Sequence, residues 1–367
     1  MDSSEKRTQY YYTCHILDGS SVIPLKKYQS VIADTKMYPQ VARLPEHIEF
    51  ALNCMVFNLR NTSKAIVCGM GTCNIAGLIV SDYLDAMKKS PLPMAKGIDL
   101  PKWVDKDTTV IVVSYSGDTV ETLRLYNSAV KVGAQVVCIT AGGDLEELCI
   151  KDENIMLSIP GGFQSRGAIG YMIGYILLVL NNIGLLDNME EISETIRSVK
   201  QYRNELISSD DNEAEIIAER IYGKVPSVYS FFNMKSVAYR WKSQLNENSK
   251  VLSFYGTMPE FNHNELMGWT NDVQIMDYLP VIIFDDGVSS MLKAMAETPI
   301  GMMMDKGIKV YVYHVKGANI LEKMLKAILT GDFVSLYLAH LNGVDPSTDD
   351  VRIVADSARI ESAKKKN

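Results

Sequence analysis

No CxxC pair, no HxH and no HExxH occurs in this chain. Its 6 cysteines (Cys14, Cys54, Cys68, Cys73, Cys138 and Cys149) lie mostly in apolar runs, where cysteine acts as a small buried hydrophobe rather than a disulfide or metal ligand. That usage points to the cytosol, and a cytoplasmic protein is expected. The 5 histidines (His15, His47, His263, His314 and His340) are scattered. A catalytic zinc needs several ligands in fixed geometry, and no local pattern supplies them. No metal is expected, although a site assembled from distant segments stays open. Positive charge is also short: 37 Lys and Arg face 44 Asp and Glu, a net charge of −7. Phosphate neutralisation along nucleic acid needs clustered basic residues, so nucleic acid is not an expected partner. A small phosphorylated ligand is compatible with this charge, because backbone amides and a few hydroxyls can hold it. The N-terminal MDSSEKRTQYYYTCHILDGS has no apolar signal core. The longest apolar stretch, IGYMIGYILLVLNNIGLL (169–186), is broken by Gly and Asn. It reads as a buried core helix rather than a membrane span, and no membrane association is expected.

What is present is the patterning of a globular α/β protein. The chain is 47% apolar and its 367 residues suffice for two domains. In the first half, KAIVCGM (64–70), TTVIVVSYSG (108–117) and QVVCITAGG (135–143) read as strands that end in small residues, separated by helical spacing over 75–89 and 119–133. Continuous apolar strands alternating with helices indicate a parallel sheet covered on both faces. The second half repeats the plan, with strands at 227–232, 250–256, 279–286 and 308–315, a helix from 233 through Gln244 and another over 287–304. Residues 317–343 read as helical, in two pieces. The expected organisation is a lead-in (1–40), a first domain (41–187), a helical connector (188–226) broken at SSDDN (208–212), a second domain (227–346) and a tail (347–367) ending in KKK.

Four segments could carry chemistry. SYSGDTVET (114–122) lies where a strand stops and a helix begins, the usual ligand position in open α/β sheets. Ser114, Ser116 and Thr119 supply hydroxyls, Gly117 permits a tight turn, and the helix N-terminus favours an anion. Equally, Asp118 or Thr119 could simply cap the helix. GMGTCNIAG (69–77) is a weak glycine loop that also fits an ordinary strand-to-helix turn. Arg166, before an apolar helix, needs either an acidic partner or a ligand anion. Glu247 in QLNENSK and His263 in PEFNHNELMGW could form an acid–base pair, or be a capped helix end and an exposed polar loop.

These segments together resemble the bifunctional phosphoglucose/phosphomannose isomerases, which are built from two sugar isomerase (SIS) domains. SYSGDTVETL is similar to that family's SYSGNTEETL, GMGTCNIAG to GMGGSGIAG, and PGGFQSRGAIGY to its Arg-bearing segment. QLNENSK and PEFNHNELMGW are similar to QLNENAK and PExNHNEIVGW, with His263 following Glu247 by 16 residues. GDFVSLYLAHLNGVDP (331–346) is similar to the closing segment. The resemblance runs in order from about residue 45 to 346. It implies two SIS domains, each a flavodoxin-like three-layer sandwich, and interconversion of glucose 6-phosphate, and of mannose 6-phosphate, with fructose 6-phosphate through a cis-enediol. Ser114, Ser116 and Thr119 would hold the phosphate, beside Gly71, Thr72 and Cys73 of the first turn. Arg166 would steady the enediolate, Glu247 would move the proton between C2 and C1, and His263, from the partner in a homodimer, would assist ring opening. No cofactor is implied.

The chain departs from the family pattern in places. Thr72-Cys73 replaces Gly-Ser, and Ser165 replaces a proline. Past Asp345 the family's ring-opening lysine has no clear counterpart: Ala358 and Arg359 stand near its place, then Lys364, while Ser347 or Thr348 offers the family's hydroxyl. Two other readings are a SIS isomerase of amino sugars, whose C-terminal lysine context is missing here, and a non-catalytic sugar-phosphate sensor, which would not need Glu247 and His263.

Overall fold

The computed structural model describes residues 29–55, 59–95, 97–209, 212–271 and 277–348. Cys14, His15, Ala358, Arg359, Lys364 and the KKK run lie outside them. Three short helices come first: α1 (Gln29–Ala33), α2 (Tyr38–Ala42) and α3 (Leu44–Leu52). The first sheet then alternates with helices: β1 (Lys64–Cys68), α4 (Thr72–Ala86), β2 (Thr108–Ser114), α5 (Val120–Lys131), β3 (Gln135–Thr140), α6 (Gly143–Lys151), β4 (Ile155–Ser158) and α7 (Ile169–Asn182). Helices α8 (Met189–Ser208) and α9 (Glu213–Ile221) lead to the second sheet. There follow β5 (Val225–Phe231), α10 (Lys235–Glu247), β6 (Phe254–Met258), α11 (Glu265–Thr270), β7 (Tyr278–Asp285), α12 (Ser290–Asp305), β8 (Tyr311–Val315) and α13 (Ile320–Leu341).

All strand pairs are parallel, in the orders β1-β2-β3-β4 and β6-β5-β7-β8. A bridge from Met94 to Val67, with Val67 N–H bonded to Pro93 O and Ala95 N–H to Val67 O, adds a residue-wide edge outside β1. Both sheets therefore reverse direction of growth after their first strand, the flavodoxin-like arrangement. In sheets of this kind, ligands bind at the carboxyl ends of the strands flanking the reversal.

Side-chain alternation along the strands explains the layers. Ala65, Val67, Ile111 and Val113 face a central core with α4 and α7, whereas Ile66, Cys68, Val110 and Val112 face a separate core with α5 and α6. The second sheet divides likewise: Val228, Val281 and Ile283 join the central core with α10 and α13, while Phe231, Ile282 and Phe284 pack with α12. Each sheet is thus covered on both faces, as expected, but the two share one helical layer between them.

The apolar run at 169–186 is the buried helix α7. Its glycines have a packing role: a Cβ on Gly170 or Gly174 would press 2.7 Å from Leu44 O or Ile48 O, so they let α3 and α7 approach closely. Among the described residues one helix, α13, is long and apolar enough to cross a membrane, but 83% of its apolar window is buried inside the protein. It is a single helix rather than the two pieces expected; its Gly331 sits where a Cβ would strike the Trp241 indole. Strand β6 starts at Phe254 rather than at 250, because residues after Glu247 first wrap the end of α10: Lys250 takes φ +58° and Val251 N–H bonds back to Leu245 O. Residues 29–40 are not patternless either, since Ile32 and Met37 are fully buried against the core. Helix α8 ends at Ser208 and α9 starts at Glu213, capped by Asn212 through the N–H groups of Ala214 and Glu215.

Candidate active site

Ser114 ends β2 and is buried; its hydroxyl donates to Thr119 Oγ1 at 3.3 Å and accepts from Gly117 N–H at 3.2 Å. Ser116 is exposed, and Thr119 occupies the position before α5. Neither candidate cap serves α5. Thr119 makes no side-chain cap bond, and Asp118 Oδ1 instead accepts from Asp144 N–H at 3.0 Å. The first-turn amides of α5 therefore keep the unpaired, anion-seeking character of a helix start. The loop is held by its neighbour after β3, through Ala141 N–H to Tyr115 O (3.0 Å) and Leu145 N–H to Gly117 O (3.1 Å). Across the reversal between β1 and β2 stands the first turn, with Gly71 at φ +54° before α4. Thr72 and Cys73 open that helix and are 4% and 5% exposed. What this turn can show a ligand is therefore mainly backbone.

Tyr115 ties the β2 loop to the arginine segment: its hydroxyl accepts from Phe163 N–H at 2.8 Å and donates to Pro160 O at 3.4 Å. Arg166 is fully buried. Its Nε donates to Asn248 Oδ1 (2.7 Å) and its Nη2 to Pro346 O (2.7 Å), while Nη1 faces Glu247 Oε2 and Gln164 Oε1, each at 3.5 Å. Glu247, at the last position of α10, keeps 31% of its side chain exposed. The structure thus brings Arg166 and Glu247 together across 81 residues of sequence. Glu247 meets solvent while the Arg166 guanidinium lies beneath it.

The roles of Gln164, Lys250 and His47 carried no sequence signal, and Ser347 and Thr348, noted for their hydroxyls, are held here by their carbonyls. Gln164 Nε2 donates to Ser347 O (3.1 Å) and Lys250 Nζ to Thr348 O (2.8 Å). With Arg166 on Pro346 O, three consecutive carbonyls are held by three side chains of the site. Nearby, His47 is buried and stacked on Tyr171 at 4.4 Å. Burial, with the Arg43 charge second and opposed by a hydrogen bond from the ring to the Gly167 main chain, pushes its pKa down to about 3, so it is neutral at physiological pH.

His263 is not brought to Glu247 within one chain. It ends the 3-10 turn Glu260–His263, is exposed, and its ring finds no hydrogen-bonding or ionic partner among the described residues. The turn is itself anchored: Asn262 Nδ2 donates to Met295 O at 2.7 Å, and Asn264 caps α11. Glu265 is committed to Tyr229, whose hydroxyl donates to Glu265 Oε2 at 2.6 Å. Among the described residues no three of His, Cys, Asp and Glu are grouped to hold a metal ion.

Residues 58–161 match the SIS domain family, and residues 210–354 match the family described as bacterial phospho-glucose isomerase C-terminal SIS domain. A bifunctional phosphoglucose/phosphomannose isomerase of Aquifex aeolicus is 34% identical over 287 residues, covering 77% of this chain and 86% of that relative. The chain belongs to this isomerase family. A D-glucosamine-6-phosphate 4-epimerase of Sulfolobus acidocaldarius is also similar, 30% identical over 69% of this chain and 80% of its own length. Among solved structures, a hypothetical protein from Thermus thermophilus shares the fold: TM-score 0.68 at 14% identity, covering 90% of this chain and 89% of that one. Family membership accounts for the order of the segments, two SIS-type sheets each followed by its own loops.

Proposed function

We propose that this protein is an aldose–ketose isomerase that interconverts glucose 6-phosphate and mannose 6-phosphate with fructose 6-phosphate. The observation that carries this reading is the partly exposed Glu247 carboxylate 3.5 Å from a fully buried Arg166 guanidinium. Proton transfer next to a carbonyl needs one positioned base and a cation for the oxyanion that develops. In this reading the phosphate rests on Ser114, Ser116, Thr119 and the first-turn amides of α5, with the backbone around Gly71, Thr72 and Cys73 opposite. Glu247 removes the C2 proton of the open-chain aldose, Arg166 offsets charge on the enediolate, the hydroxyl proton passes from O2 to O1 within the cis-enediol, and the same carboxylate returns the carbon-bound proton to C1. Because C2 becomes planar, both C2 epimers reach one intermediate.

His263 would act on the ring form from a second copy of the chain. Its own chain leaves it exposed, its turn bonds α12 through Asn262 Nδ2 to Met295 O, and α11 and α12 carry exposed apolar side chains: Met267 (75%), Met291 (64%) and Met295 (40%). Exposed apolar side chains of this kind suit a protein partner better than water. A homodimer with shared sites is therefore part of the proposal, as is a reducing, cytoplasmic setting, which the five described cysteines, all buried, suit.

The test is a coupled assay of fructose 6-phosphate formation from each aldose phosphate after exhaustive EDTA treatment. Turnover of both without added metal is expected. No turnover of either, turnover of glucosamine 6-phosphate in their place, or dependence on restored zinc would each count against the reading.

A further inference from the structure

The catalytic arginine of this reading closes a ring of buried hydrogen bonds. Arg166 Nε donates to Asn248 Oδ1 (2.7 Å), Asn248 Nδ2 to Ser335 Oγ (2.9 Å), and Ser335 Oγ to the main-chain oxygen of Asp332 (2.6 Å). The Asp332 carboxylate accepts twice from Arg240, at 3.0 and 2.8 Å from Nε and Nη2. Arg240 Nη2 donates in turn to the main-chain oxygen of Arg166 at 2.7 Å. All five residues are at most 1% exposed. The ring joins three elements: the turn before α7, α10 with the residue after it, and one turn of α13.

A buried ion pair is a poor source of stability, because desolvation consumes most of its attraction. Here Arg240 also keeps a buried Nη1 with no hydrogen-bond partner, a further cost. What the ring does achieve is directional. A guanidinium is a planar fork, and two anchored edges, Nε on Asn248 and Nη2 on Pro346 O, leave Nη1 turned toward Glu247. The main chain of Arg166 is held separately by Arg240. Asn248 also follows Glu247 directly, so the same anchor sets the end of α10 that carries the base.

We infer that Asn248, Ser335, Asp332 and Arg240 are positioning residues that lock the Arg166 guanidinium, and with it the Glu247 carboxylate, in the orientation needed for proton transfer. This rests on the isomerase reading for its kinetic consequence, but not for the lock itself. Asp332→Asn would leave the Arg240 charge buried and unpaired, which threatens folding itself. Ser335→Ala removes one hydroxyl and one link while leaving every charge paired, so it is the variant to use.

Two measurements decide the matter. In 15N-labelled protein the Arg166 Nε–H resonance, assigned by its absence in Arg166→Lys, is expected to exchange slowly with solvent and to lose that protection in Ser335→Ala. In the kinetic arm, Ser335→Ala is expected to lower kcat about tenfold with KM changed less than about twofold, whereas in the Arg166→Lys background it lowers kcat less than about twofold, since coupled residues are non-additive. A role confined to packing would give equal losses in both backgrounds. Equal losses, or an Nε–H that stays protected in Ser335→Ala, would overturn the inference. If the unmodified protein turns over no hexose phosphate, the isomerase reading fails on its own, and the exchange measurement still decides for or against the lock.

Discussion

Glu247 and Arg166 occupy opposite extremes of exposure although they touch, and that contrast defines the chemistry available. A carboxylate reached by solvent can take and return a proton; a guanidinium with no solvent contact cannot leave, and its charge is felt through protein rather than water. Glu247→Gln preserves shape and most contacts but removes the basic oxygen. It is expected to lower kcat by about 10²–10⁴-fold, the span of a lost acid–base group, with little change in KM. Exchange of substrate hydrogen with deuterated water should fall in step. Near-normal exchange in this variant would assign the base elsewhere. The Thr72-Cys73 departure reads differently once placed. Both side chains are buried, so the substitution changes what packs under the first turn more than what the turn presents.

At the level of elements, the phosphate-loop proposal depends on two glycine-containing loops that interlock. Gly117 has φ +79°, and a Cβ there would overlap the main-chain oxygen of Gly142 in the loop after β3. Gly117→Ala must therefore either strain the backbone or part the two loops, at about 1–3 kcal/mol. A lower Tm is expected. Because displaced first-turn amides bind phosphate less well, KM for the hexose phosphate should rise about tenfold, equivalent to about 1.4 kcal/mol of binding, while kcat falls much less. Titration calorimetry with inorganic phosphate offers the same comparison without turnover. Unchanged KM and phosphate affinity in a folded variant would move the phosphate away from this loop.

For the whole molecule, the shared helical layer fixes one half against the other, so Arg166 and Glu247 meet without a partner, whereas His263 does not meet them. The proposal of a shared site makes a specific demand. Glu247→Gln and His263→Ala proteins, each impaired alone, should regain activity when unfolded and refolded together. Random pairing gives heterodimers with one intact site each, and recovery of about a quarter of normal activity is expected for a twofold assembly. Recovery no greater than the sum of the separate variants would place His263 in its own chain's site or outside the chemistry.

The sequence by itself determined the strands, most helices and the loops at the strand ends, because these follow from local rules: period-2 and period-3.6 apolar patterns, and small or hydroxyl residues where a strand gives way to a helix. It also singled out Arg166, Glu247 and His263, but left each with two readings. Tertiary structure decided between some of them. Arg166 has its acidic neighbour in Glu247, 81 residues away, and Thr119 and Asp118 do not cap α5. The clamp on Pro346, Ser347 and Thr348 and the Arg166–Asn248–Ser335–Asp332–Arg240 ring had no local signature at all. Their members are ordinary polar residues in helices and turns, and the ring's links between elements span 74 to 92 positions. Only the packing of the turn before α7 with α10 and α13 removes water from them, and it is that removal which obliges each donor to find its acceptor.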